Sequence, residues 1–309
     1  MTAAVETTGL GARYGRHWAV RDCTLSLPRG GIVALVGPNG AGKTTLLHLA
    51  AGLLRPSTGS IRVLGEKPYY SSGLMTRVGF VAQGAPLYSD FTADELLVMG
   101  SKLNRGFEQA SAREQLRRLD IPLHWRVGSL PGGQRVQVAL TLALGKRPEL
   151  LLLDEPAAGL DLLARREFLR TLMGSTAEQG ATIVLSSHLI EDLDRVCDWL
   201  VIMSAGQVQV LGSVEELKAR HKVLIGPVVI GSAHQKKIIG VAQVVRASHT
   251  DRQSTLLVRT DGVVHDPSWM VQDVSLQDLV LAYLADPAEG LLPGPIGHRS
   301  DNGVQGVHV

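Results

Sequence analysis

Cysteine is almost missing from this chain. Cys23 and Cys197 are the two among 309 residues, too few and too far apart for a disulfide framework, so a reducing compartment is expected. An excess of charge is missing too: 31 lysines and arginines face 29 aspartates and glutamates, a net charge of +2. That balance argues against a general nucleic-acid binder. Aromatics are 4% of the residues and are not interleaved with any basic run, so no nucleic-acid partner is expected. Long apolar runs are missing as well. The longest candidate, near Val223 to Ile230, is about half of the roughly 18 residues that a bilayer crossing needs. Met1 to Glu6 lack the basic and apolar regions of a signal peptide. A soluble protein is expected, and any membrane role has to come through a partner.

What is present is an apolar share of 45%, enough to fill one large core or two of ordinary size. The chain is organised around Gly37-Pro38-Asn39-Gly40-Ala41-Gly42-Lys43-Thr44-Thr45, which fits the GxxxxGK[ST] pattern of a phosphate-binding loop. The run Ile32 to Val36 leads in and the apolar-rich stretch Thr45 to Ala51 leads out. Strand, loop and helix are the setting that this pattern requires. Glycines let the backbone wrap around phosphate, with N–H groups and the helix start facing the anion. Lys43 then reaches the β- and γ-phosphates, and the Thr44 hydroxyl holds Mg²⁺.

Upstream, Arg13 to Val20 and Asp22 to Leu27 read as short strands with a turn at Tyr14-Gly15. Tyr14 is either ordinary surface or an aromatic face that stacks on adenine. Downstream, Ile61 to Leu64 and Val78 to Ala82 read as strands, the second ending at Gln83. From Phe91 to Leu119 the spacing turns helical, with Leu96, Leu97, Met99 and Leu103 on one face and Leu116 and Leu119 on another. This is a helical insertion in an α/β core. A further helix opens at Ser129-Leu130-Pro131-Gly132-Gly133-Gln134 and runs to Gly145.

Leu150-Leu151-Leu152-Leu153 is the pattern of a strand buried on both faces, and Asp154-Glu155 sit at its carboxyl end. Ligands bind at that end of open parallel sheets. Asp154 is placed to hold Mg²⁺, and Glu155 to orient and deprotonate an attacking water. Without the phosphate loop, the same pair would read as a solvated turn. A helix from Leu163 to Met173 follows, then the buried strand Ile183 to Ser187 ending at His188. There the histidine can sense a γ-phosphate.

Together these stations, over roughly residues 5–217, resemble the ATP-binding cassette family, specifically the ATP-binding subunit of a bacterial exporter-like transporter. The resemblance implies an α/β fold: a P-loop NTPase (RecA-like) core with an antiparallel β-subdomain and an inserted α-helical subdomain, plus a small C-terminal α+β extension. Residues 1–220 would form the nucleotide-binding domain, its helical part about 86–146; residues 221–287 the extension; residues 288–309 a disordered tail. Tyr14 would be the adenine-stacking aromatic, and Gln83 the glutamine that touches Mg²⁺, the attacking water and the membrane subunit. Leu130, Pro131, Gly132, Gly133 and Gln134 look like the signature sequence, and Asp161 like the aspartate that communicates across a dimer. Asp154, Glu155 and His188 keep the roles already read from their positions. The resemblance further implies ATP and Mg²⁺ as cofactors. Partners would be a second cassette, as homodimer or paralogous heterodimer, and a separate membrane permease on whose cytoplasmic side the chain sits. Each ATP would lie between one copy's loop and the other copy's signature.

Two positions depart from the family pattern. Pro131 stands where serine is usual, and so offers the γ-phosphate neither a hydroxyl nor an N–H. Leu162 stands where proline often follows the aspartate. Beyond Leu217, strands are expected at Val228 to Ile230, Ile238 to Val245 and Leu256 to Val258, and a helix from Ser275 with Asp278 in a capping box. That segment resembles extensions of exporter cassettes, and packing is its expected role. Two other readings stay open: a soluble cassette ATPase acting on DNA or ribosomes, and an ATP-sensing module with little turnover. The gap from Gln83 to Leu130 shows no heptads for a coiled-coil insertion, against the first; Glu155 and His188 stand against the second.

Overall fold

The structure, a computed structural model, describes residues 3–188, 190, 193–228 and 238–285. A hairpin of β1 (Val5–Tyr14) and β2 (His17–Leu27) leads into β3 (Ile32–Val36) and α1 (Lys43–Ala50). β4 (Thr58–Val63), α2 (Ser72–Arg77) and β5 (Val78–Val81) follow. Then come α3 (Ala93–Leu103), α4 (Gln109–Arg118) and α5 (Gly132–Gly145), and β6 (Leu150–Leu153), α6 (Leu162–Gln179) and β7 (Thr182–Ser187). β8 (Trp199–Ser204), β9 (Gln207–Ser213) and α7 (Val214–Ala219) lead to β10 (His221–Gly226), β11 (Val241–His249), β12 (Ser254–Thr260), β13 (Met270–Asp273) and α8 (Leu276–Ala285).

Among the described residues, six strands form the central sheet in the order β5-β6-β7-β3-β8-β9. Its first five strands are parallel and β9 closes it antiparallel to β8. The sheet is covered on both faces, so its strands are unbroken apolar runs rather than alternating ones. Pleating sends alternate residues to opposite sides. Ala34, Leu151, Leu153 and Leu185 join Leu140 of α5 and Phe168 and Leu172 of α6 in one apolar cluster. Val33, Leu35, Leu150 and Leu152 join Leu47 and Leu49 of α1 and Leu10 and Leu25 of the hairpin in another. The hairpin and β4 form a separate antiparallel sheet over α1, in the order β2-β1-β4.

The helical insertion has its own core of Leu96, Leu97, Leu116, Ile121, Leu130 and Val138. A capping box starts α3: Thr92 Oγ1 accepts from the Glu95 N–H and Glu95 Oε2 accepts from the Thr92 N–H. Gly180, in the left-handed region at φ 64°, ends α6. Ser275 Oγ accepts from the Asp278 N–H at 3.0 Å, as the spacing predicts for the start of α8.

Several boundaries differ from the sequence reading. The stretches read as Arg13 to Val20 and Asp22 to Leu27 prove to be the end of β1, which starts at Val5, and one continuous β2; the hairpin turn falls at Gly15-Arg16, so Tyr14 is the last residue of β1 rather than a turn residue. α5 begins at Gly132, after a 3-10 turn at Val127–Ser129. α6 continues six residues past Met173, to Gln179. In the extension β11 begins at Val241. Val228 lies outside any strand, and Val229, Ile230 and the tail 288–309 lie outside the described residues.

Among the described residues the extension forms a four-stranded sheet, β11-β12-β10-β13. It does not stand apart: Leu276, Leu279, Val280 and Tyr283 of α8 lie within the apolar cluster that holds Leu140, Phe168 and Leu185. The boundary at 220/221 therefore separates two sheets but not two cores. The seam is closed by His221, 1% exposed, whose Nδ1 lies 2.7 Å from the Leu217 carbonyl and whose Nε2 lies 2.8 Å from the Tyr283 hydroxyl. The tautomer with Nδ1–H donating to the carbonyl and Nε2 accepting from the hydroxyl satisfies both. Burial pushes the imidazole pKa below its ordinary value.

Candidate functional site

Parallel strands deliver their carboxyl ends to one edge of the sheet, and the chemistry-bearing residues follow those ends. In spatial order, β5 is followed by Gln83, β6 by Asp154 and Glu155, β7 by His188, and β3 by the loop Gly37 to Gly42. The sheet order thus collects residues that are distant in sequence.

The loop is shaped by glycine. Gly42, with φ 99° and ψ 3°, is the N-cap of α1. A Cβ on it would lie 2.3 Å from the Ala19 carbonyl oxygen, and one on Gly37 would lie 2.3 Å from that of Met203. At these two positions backbone occupies the space that a side chain would need, so the loop keeps this path only with glycine there. Gly42→Ala is expected to weaken nucleotide binding at least ten-fold, since the left-handed backbone alone costs about 1–2 kcal/mol and the carbonyl must also move. Titration with a fluorescent ATP analogue tests it; parental affinity in a folded variant would show that the loop needs no such fit.

Lys43 is 5% exposed, and its Nζ donates to the carbonyls of Gly37 at 2.8 Å and Pro38 at 3.2 Å. It also lies 3.3 Å from Glu155 Oε1. Glu155 is 8% exposed, its Oε2 meets His188 Nδ1, and its backbone is held in the left-handed region at φ 47°. Such a conformation in a non-glycine residue, costing about 1–3 kcal/mol, is kept where the surroundings enforce it. Asp154 is 1% exposed, with its N–H donating to the Val81 carbonyl at 2.9 Å. His188 is half-exposed. Of the loop's remaining members, Pro38, Asn39, Gly40 and Thr44 are exposed while Ala41 and Thr45 are buried. Gln83 is exposed in the turn after β5, beside the end of β6.

The other predicted residues fall into two places. Tyr14, 52% exposed, ends β1 opposite His17, and two residues further along β2 Ala19 meets Gly42, so the hairpin end flanks the loop. Leu130 to Gln134 lie elsewhere. Leu130 is buried in the helical core, and a Cβ on Gly133 would meet Ala164 at 3.4 Å and Leu160 at 3.5 Å. Asp161 sits between those two and caps α6, its Oδ1 accepting from the N–H groups of Leu163 and Ala164 at 2.9 Å each. One copy therefore brings Lys43, Glu155 and His188 together, and sets Gly133 at the α5 start against Leu160 and Ala164. Pro131 proves to be the cap residue of α5 itself, not its first helical residue, and supplies no capping side chain.

The sequence reading missed Ser186. It is fully buried, its Oγ donating to Asp154 Oδ1 and accepting from the Glu155 N–H, both at 2.8 Å. Hydroxyl residues at the carboxyl end of a buried strand, Ser186 and Ser187, were the available signal.

A Gly-lined phosphate loop with a buried lysine, followed across the sheet by paired acids and a histidine, defines a P-loop NTPase. A family profile described as "ABC transporter" matches residues 20–158, and another, "AAA domain, putative AbiEii toxin, Type IV TA system", matches residues 131–191. The chain is 35% identical over 216 residues to the uncharacterized ABC transporter ATP-binding protein YxlF of Bacillus subtilis (strain 168), covering 68% of this chain and 70% of that protein. It is 35% identical over 226 residues to the sulfate/thiosulfate import ATP-binding protein CysA of Vibrio vulnificus (strain CMCP6), covering 69% of this chain and 65% of that protein. It is 35% identical over 218 residues to the Nod factor export ATP-binding protein I of Rhizobium johnstonii, covering 66% and 67%. A solved structure of the ATP-binding subunit of an ABC transporter superposes with a TM-score of 0.63 at 28% identity, covering 70% of this chain and 92% of that one. The chain belongs to the ABC transporter family: it is an ATP-binding subunit of a transport system, in a family whose cassettes hydrolyse ATP. Among the described residues no helix is long and apolar enough to cross a membrane.

Proposed function

We propose that this chain drives export through a separate membrane permease, and that it does so by pairing with a second cassette around two ATP molecules on the cytoplasmic face. The observation that carries this is the division of the site within one copy. The loop and acids are assembled at the sheet's edge, whereas Gly133 at the α5 start packs against Leu160 and Ala164, which flank Asp161 in sequence. A second copy, identical or paralogous, would bring that helix start over the first copy's loop. Export is supported by the layout, a cassette followed by a small extension.

Each residue then has a task. The N–H groups of Asn39 to Thr45 and the Lys43 ammonium grip the β- and γ-phosphates, and Tyr14 stacks on the adenine. Glu155 takes the proton of the attacking water, and His188, already against its carboxylate, holds the γ-phosphate end. Thr44, Gln83 and Asp154 would hold Mg²⁺; hydroxyl, amide and carboxylate oxygens are the donors that a hard cation takes. Bound there, the ion neutralises charge on the phosphates. Leu130 to Gln134 and Asp161 belong to the partner-facing side. Residues 1–220 form the cassette, with 86–146 as its helical part, and 221–287 the extension.

The test is ATP-driven pairing of a Glu155→Gln variant, followed by sedimentation. Dimers with ATP and monomers without it are expected; monomers at millimolar ATP, alone or with any co-expressed cassette, would end this reading. Pro131→Ser adds a hydroxyl at the α5 cap and should tighten the pairing about ten- to a hundred-fold, the worth of one hydrogen bond to a charged group. An unchanged dimer constant would show that position 131 does not face the nucleotide. Co-purification with a membrane chain of several apolar spans tests the permease, and substrate movement in vesicles carrying both tests the direction.

A further inference from the structure

Ser186 is the buried hydroxyl that none of these tasks uses. It is the penultimate residue of the central strand β7, opposite Leu35 of β3, and is 0% exposed. A serine hydroxyl has one proton to give, and here the direction of each bond is settled by chemistry. The Glu155 N–H can only donate, so Oγ accepts from it at 2.8 Å, and the hydroxyl proton goes to Asp154 Oδ1 at 2.8 Å. One side chain thus holds the carboxylate of residue 154 and the peptide of residue 155. The second bond matters because Glu155 has its backbone at φ 47°, a conformation that relaxes unless something fixes it. The direction of that peptide sets where the Glu155 side chain emerges, and so its approach to Lys43 at 3.3 Å and to His188.

We propose that Ser186 is the positioning residue of the hydrolytic centre, registering Asp154 and Glu155 against each other from the neighbouring strand. The inference rests on the roles proposed above for those two acids. Ser186 is closed off from solvent and acts through the two acids it bonds. Removing its hydroxyl leaves a buried N–H and a buried carboxylate oxygen each short of a partner, and both groups are free to turn.

The experiment compares Ser186→Ala and Ser186→Cys with the parent, using the full chain. Thiol in place of hydroxyl keeps the bulk and offers only a weak donor and acceptor, so it separates hydrogen bonding from packing. Expected for alanine is a fall in kcat of about ten- to a hundred-fold, the worth of one hydrogen bond to a charged group. ATP affinity measured in EDTA should stay at the parent value, while the gain in affinity on adding Mg²⁺ shrinks. Cysteine should fall between parent and alanine in both readouts. If the alanine variant does not fold, the cysteine variant decides on the same two readouts. A cysteine variant with parental kcat and parental Mg²⁺ dependence overturns the inference. So does a loss of EDTA-measured affinity as large as the loss of kcat, which marks a merely structural role. Glu155→Gln is the control: persistent hydrolysis there would fault the assignment of the acids, whereas abolished hydrolysis beside parental Ser186 variants would fault Ser186 alone.

Discussion

Glu155→Gln should cut phosphate release about 10²–10⁴-fold, the usual contribution of a positioned base, while ATP still binds. The amide is nearly the same size as the carboxylate, so the contact with His188 and the Ser186 bond to the residue 155 N–H can both persist. What disappears is the basic oxygen. The ion pair between Lys43 and Glu155 disappears too, so the lysine no longer has a carboxylate competing with phosphate, and ATP affinity should equal or exceed that of the parent. Phosphate release and equilibrium nucleotide binding, measured side by side, check both halves. Turnover within ten-fold of the parent would remove Glu155 from its role as base.

Loss of α8 should be as damaging to folding as loss of Glu155 is to chemistry. Leu276, Leu279 and Val280 are 0% exposed and Tyr283 is 1% exposed, all in the cluster that contains the inner face of the central sheet. Burying a large apolar side chain contributes about 1.5–3 kcal/mol. Four of them therefore rival the 5–15 kcal/mol or so by which a whole domain is usually stable. A chain ending before Val274 should be insoluble or unfolded. Leu279→Asp, which puts a charge among the apolar side chains of that cluster, should lower the melting temperature by many degrees. Leu281→Asp is the control, on the same helix but 45% exposed, and should melt within a few degrees of the parent. A truncated chain that melts and hydrolyses ATP like the full one would make α8 an appendage.

How much of this could be read from residues alone depended on where each signal lies. Leu150 to Leu153 and Ile32 to Val36 were legible because strands covered on both faces need no polar alternation. Asp154-Glu155 and His188 were legible because they directly follow runs of that kind, and Lys43 because it holds its place in the GxxxxGK[ST] pattern. Val5 to Ala12 of β1 carry no strand signal because Thr7, Thr8, Gly9 and Gly11 interrupt the apolar pattern. β13 is exposed along its whole length and so carries no alternation to detect. β8 and β9 were not read at all, although β8 is buried from Leu200 to Ser204; the periodicity of a five-residue apolar run does not separate strand from helix. Ser186 was invisible for another reason: its partners lie 31 and 32 positions earlier in the chain, and only the alignment of β6 with β7 brings them to it. The sharing of one core by extension and cassette is a tertiary fact of the same kind.

That shared core has a thermodynamic consequence. α8 packs on β8, β8 pairs with β3, and β3 runs straight into the phosphate loop. Suppose some small molecule or protein grips residues 221–285 and weakens nucleotide affinity by a given factor. Equilibrium linkage then requires nucleotide to weaken that molecule's own grip by the same factor, so the far end of the chain can be interrogated by adding ATP at the near one.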